Sequence, residues 1–128
     1  MTAPHPPTGA ENPGPTVRER GLAKMAEVYG FDFADGTDEL FALTADHLFA
    51  GIWSRPGLSV RDRRLLLLGA LTAGGLPDVA SIQVSAALHN GECTGEQLHA
   101  IARFLGTQLD PAQGDALDEV VTAALGRA

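Results

Sequence analysis

A chain of 128 residues has room for one compact domain when a typical domain takes roughly 150, so a two-domain enzyme is excluded within it. At 45% hydrophobic and 20% charged residues, its make-up is that of a globular protein able to bury a core without disulfide or metal staples. Nine Lys and Arg against sixteen Asp and Glu leave a formal charge of −7. With no basic field to displace counterions from phosphates or to hold an anionic lipid surface, no nucleic acid and no membrane are expected as partners.

The lone cysteine, Cys93, permits no internal disulfide and no Cys-based metal site, so no metal is expected and the compartment implied is cytoplasmic. Residues 1–15 hold five of the eight prolines, which deny the segment helix and ladder hydrogen bonds alike. They read as a disordered leader, and residues 16–128 as the folded domain. Thr16 with Glu19 makes a capping box ahead of Leu22, Met25 and Tyr29, and Gly30 supplies a stop. Thr37, Asp38 and Glu39 open a second helix through Leu40, Phe41, Leu48, Phe49 and Ile52, ending near Trp53. Arg55-Pro56-Gly57-Leu58 is a turn, because Pro56 pushes Arg55 out of helical geometry. Ser59 with Asp62 opens a third helix whose run Leu65–Leu68 is apolar on nearly every face, as in a central element wrapped by others. Gly74-Gly75 breaks it. Pro77-Asp78 starts a fourth helix, ended by Asn90-Gly91, and Thr94 with Gln97 caps a fifth that runs to Gly106. Asp110-Pro111 with Gln113 caps a sixth, with Leu117, Val120, Val121 and Ala124 inward. No alternating strand pattern, internal repeat or heptad array interrupts this reading, so the fold predicted is an all-α bundle of about six helices. Its small side chains bury little area each, and such a domain often completes its core by oligomerising.

The stretch from His47 through Trp53-Ser-Arg55-Pro56-Gly57-Leu58 to Arg61-Asp62-Arg63-Arg64-Leu65 resembles the signature of the carboxymuconolactone decarboxylase family. The likeness continues through Ala86-Ala87-Leu88-His89-Asn90-Gly91-Glu92 and Thr94 to Leu98, and Gly21–Gly30 looks like the family's first helix, so it covers roughly residues 18–105. The resemblance implies an alkylhydroperoxidase D-like helical fold, assembled as a homo-oligomer (trimer or hexamer), with sites near subunit contacts. It also implies one of two chemistries. A peroxidase cycle needs a Cys-x-x-Cys pair, which Cys93 alone cannot supply. The lyase chemistry uses the substrate's conjugated lactone carbonyl as electron sink, needs no cofactor, and asks the protein to hold carboxylates and deliver a proton to carbon. Where many decarboxylase-like members carry a His in the fourth helix, this chain has Gln83. The stretch Phe104–Pro111 likewise lacks the aromatic and imidazole groups seen in many members.

Among the residues that remain, His47 is the candidate proton carrier, with a hydrogen-bonded packing histidine as the alternative. Glu92, in the loop beside Cys93, is a candidate base if desolvated and otherwise a solvent-facing acid. Arg55, Arg61 and Arg64 are suited to clamp a substrate carboxylate, or to tie the turn to its neighbours with Asp62 and Glu92 as structural partners. Trp53 is a substrate wall or a packing anchor. Gln83 is a substrate-orienting amide that must find hydrogen bonds if buried. His89 and His99 fit exposed helix positions, His5 belongs to the leader, and Cys93 reads as buried and inert. The function these residues favour is a cofactor-independent decarboxylase or isomerase of altered chemistry acting on a small, anionic carboxylated or lactone substrate. The alternative is a non-catalytic paralogue, serving as a subunit in a mixed assembly or as a small-molecule binding module.

Overall fold

The computed structural model describes residues 13–127, in which six helices and no strand are present. In chain order these are α1 (Val17–Tyr29), α2 (Glu39–Ala42), α3 (Val60–Ala73), α4 (Pro77–His89), α5 (Gly95–Gln108) and α6 (Pro111–Arg127). α2 passes without a break into a π-helix, Leu43–Ile52. Residues 1–12 of the expected leader, His5 among them, lie outside the described residues; Pro13–Pro15 carry no helix. No described helix is long and apolar enough to cross a membrane.

The helix ends follow the local chemistry closely. Thr16, Ser59 and Thr94 each accept a hydrogen bond from the backbone N–H three residues on, and Glu19, Asp62 and Gln97 return the contact, which completes three capping boxes. Pro77 occupies the first turn of α4, where its missing N–H costs nothing. Gly30 closes α1 in the left-handed region at φ 84°.

Four expectations are corrected. Asp38 rather than Thr37 caps α2, its carboxylate accepting from Phe41 N–H at 2.7 Å. The second helix is π-helical over most of its length, the Trp53 N–H reaching back five residues to Leu48 O at 2.8 Å, and this wider coil turns Ala45, Phe49 and Trp53 inward together. α5 continues past Gly106 to Gln108, because Gly106 and Gly114 are the point where α5 and α6 pack backbone to backbone: a Cβ on Gly114 would lie 2.6 Å from Gly106 Cα. Finally, α3 is not wrapped on every side, since Leu66 remains 64% exposed.

Two apolar clusters flank α3. The larger joins Leu68 of α3 to Val84 and Ala87 of α4, Leu98 and Ala102 of α5, and Leu117 and Val121 of α6, with the Cys93 thiol buried among them. The smaller joins Met25 and Val28 of α1 to Ala45, Phe49 and Trp53, with Leu67 of α3 packed on it. α1 approaches the π-helix so closely that a Cβ on Gly21 would lie 2.0 Å from Ala45 O. One helix thus divides the core, and two of its polar residues, Arg64 and Thr72, are buried.

Candidate functional site

The helical spacing that sends Leu68 and Thr72 inward also sends Arg64 inward, one turn earlier on the same stripe of α3. Its side chain is fully buried, and a buried guanidinium is tolerable only when its N–H groups are paired. Nε donates to Glu92 Oε1 at 2.9 Å and Nη2 to Glu92 Oε2 at 3.1 Å, a two-point clamp. Nη1 donates to Gln83 Oε1 at 2.6 Å, and Nη2 also donates to the carbonyl of Val28. Asn90 Nδ2 adds donations to Glu27 O at 2.8 Å and to Glu92 Oε2 at 3.2 Å. The cluster therefore joins the end of α1, the start of α3, the middle of α4 and the loop after α4. It brings together two of the expected site residues, Gln83 and Glu92, around a third group, Arg64, which the sequence offers with Arg55 and Arg61 as an anion clamp or a structural tie to Glu92; the tie is what the fold shows, and its full burial was not anticipated. The signal was there: a charged residue in step with Leu68 and Thr72 sits on a buried stripe.

The other expected residues gather at a second place, the corner where the π-helix ends and α3 begins. Arg63 donates to the carbonyl of Leu58 and, at 2.7 Å, to Arg55 O, so it holds the Pro56-Gly57 turn in shape. Gly57 takes φ 106°, a conformation open to glycine at little cost. Beside the turn is an apolar cleft of about 400 Å³ walled by Leu48, Ile52, Trp53, Arg63, Leu66 and Leu67. Trp53 is buried and stacks on Phe49 at 5.8 Å between centroids, so it serves as packing anchor and cleft wall at once. His47 is exposed on the π-helix next to Leu48, and Leu43 one turn back is 61% exposed. Arg55 is exposed in the turn; Arg61 is exposed at the start of α3 and donates through Nε to Glu92 O at 2.8 Å. Within one protomer, then, Gln83 and Glu92 belong to the sealed cluster, Trp53 to the cleft, and His47, Arg55 and Arg61 to the surface around them.

The remaining imidazoles differ in setting. His99 Nδ1 lies 2.6 Å from Asp118 Oδ1, pairing α5 with α6, and His89 ends α4 against Gly30. Among the described residues no group of three or more His, Cys, Asp or Glu side chains is placed to hold a metal ion.

The chain is an all-α protein whose Trp-x-Arg-Pro-Gly-Leu turn leads into the helix that divides its core. The model of the carboxymuconolactone decarboxylase family matches residues 38–124, two-thirds of the chain, and the chain belongs to that family. The match begins later than the expected residue 18 and runs beyond residue 105, so that α6 falls almost wholly within the family domain. No curated protein and no solved structure matches the chain.

Proposed function

We propose that this protein is a cofactor-independent lyase or isomerase that moves protons on a small carboxylated or lactone substrate at the signature corner, in a site completed by a second copy of the chain. The observation that carries the reading is that His47 is exposed on the π-helix next to Leu48, which with the unburied Leu66 lines a cleft that has an aromatic wall and an arginine. Exposed apolar strips of this kind are normally covered by another surface. Covering this one removes water from around the imidazole, where a general acid is most effective. In decarboxylation the carbon–carbon bond to the substrate carboxylate breaks, its electron pair moves into the conjugated lactone carbonyl, and His47 returns a proton to carbon as carbon dioxide leaves. Arg55 and Arg63 supply cationic edges for a remaining carboxylate. Trp53 offers a flat wall. Glu92, with both oxygens engaged by Arg64 and Asn90, acts through the scaffold rather than as the base.

The test is turnover of a panel of small unsaturated lactone carboxylates, followed by carbon dioxide release and loss of ultraviolet absorbance. His47→Ala is expected to abolish turnover while leaving helicity and oligomer mass intact; an undiminished rate removes His47 from the mechanism. The second reading, a non-catalytic subunit, draws on the engagement of Glu92 by Arg64 and Asn90 and of the Gln83 amide oxygen by Arg64, which withdraws these acceptors from a substrate. Inactivity on the whole panel, with formation of mixed oligomers alongside an active paralogue, would support that reading instead.

A further inference from the structure

Away from the signature corner, α1 and α4 enclose a cleft of about 640 Å³ that shares no lining residue with it. One wall is aromatic: Tyr29 and Phe31 line it, and Phe31, 59% exposed, stacks on Phe33 at 4.7 Å between centroids. The opposite wall is the face of α4 on which Ser81, Ser85 and His89 recur every fourth residue. Ser85 and His89 also line an adjoining hollow of about 290 Å³, into which Arg127 extends from α6, its Nη2 3.5 Å from Ser85 Oγ. Volume, apolar majority and a few convergent polar groups are those of a small-molecule site.

Its charge is the telling feature. In a chain of net charge −7, no carboxylate among the described residues lines either hollow, and the cationic or imidazole groups there are His89 and Arg127. The negative end of α1, which points at the cleft, is blunted as well: Glu27 O and Val28 O accept from Asn90, and Val28 O also from Arg64. Gly30, left-handed at φ 84°, lets the chain pass directly over the His89 ring, where a Cβ would lie 2.2 Å from Cδ2. The backbone is thus shaped to keep the imidazole at the cleft's edge.

We infer that the α1–α4 cleft is a binding site for a small planar carboxylate, its ring laid against Tyr29 and Phe31 and its carboxylate met by His89, Ser85 and Arg127. The ring gains stacking area, and the carboxylate gains charge-assisted hydrogen bonds at the only end of the cleft that offers them. The site is separate from the proposed reaction centre and stands whether or not the chain turns over a substrate.

The probe is benzoate, titrated into the full-length isotopically labelled protein and followed by amide chemical shifts, with neutral benzamide and non-aromatic cyclohexanecarboxylate in parallel. Saturable shifts centred on Gly30, Ser85 and His89 are expected for benzoate, with each analogue weaker by about tenfold, the scale of one charged or stacking contact. Arg127→Ala and Phe31→Ala, both at exposed positions, are each expected to weaken benzoate by a similar factor without loss of helicity. His47→Ala is expected to bind it as the parent does. Benzamide binding as tightly as benzoate, shifts that fall on the signature corner, loss of binding in His47→Ala, or no saturable shift would each overturn the assignment.

Discussion

Arg64 carries a full charge into the core, and the consequences are local and large. Its donors are matched to Glu92, Gln83 and the Val28 carbonyl, so removing the guanidinium would take the Arg64 donor from Gln83 Oε1 and leave the mostly buried Glu92 carboxylate with Asn90 alone. Arg64→Met is therefore expected to lower the unfolding free energy by about 3–5 kcal/mol, the usual cost of breaking a buried ion pair from one side. The double variant Arg64→Met with Glu92→Leu removes the stranded charge and is expected to recover part of that loss. Urea titration of the four proteins reads the coupling directly. Additive losses would show that the two side chains do not act as a pair. The same geometry suits a glutamine at position 83, whose Oε1 accepts from Arg64 at 2.6 Å. Beside a buried guanidinium an amide oxygen is a natural acceptor, whereas an imidazolium would bring a second positive charge to the same spot.

Between elements, the counterpart of Arg64 is Arg18, which fastens α1 to the segment before α2 and to the π-helix. Its Nε donates to Asp46 at 2.7 Å, its Nη1 to Asp35 at 2.7 Å and to Gly36 O at 2.9 Å, and its Cζ lies over the Phe41 ring, 5.4 Å from the centroid. The hydrogen bond from Arg18 outweighs desolvation and holds the Asp46 carboxyl below the ordinary aspartate value of 3.8. A carboxyl depressed in the folded state adds stability that is complete above its unfolded pKa and is lost as pH falls through the folded one. The prediction is that Arg18→Gln narrows the acid limb of the stability curve below about pH 4. Far-UV circular dichroism across an acid titration measures it, and superimposable acid limbs would remove the pair from the stability balance. Elements of this chain were legible wherever the signal was local: three capping boxes, a proline start and a left-handed glycine fix the helix ends. The π-helix was not legible, because its apolar spacing also satisfies an ordinary helix and only the backbone hydrogen bonds reaching back five residues, as from Trp53 N–H to Leu48 O, distinguish the two. Glu92 was legible as a structural partner for the arginines, but not its sealing, which only the fold produces by bringing it to Arg64, 28 positions away.

At the scale of the whole molecule, the open side of α3 is the fact that most needs an explanation. A run of four leucines at the centre of the chain implied a helix enclosed by its neighbours, yet the protomer leaves Leu66 to water and Leu48 and Ile52 beside it around an open cleft. Sequence composition pointed to the same gap from another direction, since a domain with 5% aromatic residues has few large side chains with which to close its own surface. In the proposed assembly a second copy covers this strip. Leu66→Glu then separates the two roles the position can have. In an isolated protomer an exposed leucine contributes little, so the substitution is expected to leave the unfolding transition of the dissociated chain within about 0.5 kcal/mol of the parent. In an assembly that buries the strip, a carboxylate there meets an apolar surface, and the mass measured by sedimentation is expected to fall to that of a smaller species. Turnover should fall with it, because His47 loses the cover that excludes water. A variant that keeps both parental mass and parental rate would show that α3 faces solvent in the working protein, and that the reaction centre, if it lies at this corner, is complete within one chain.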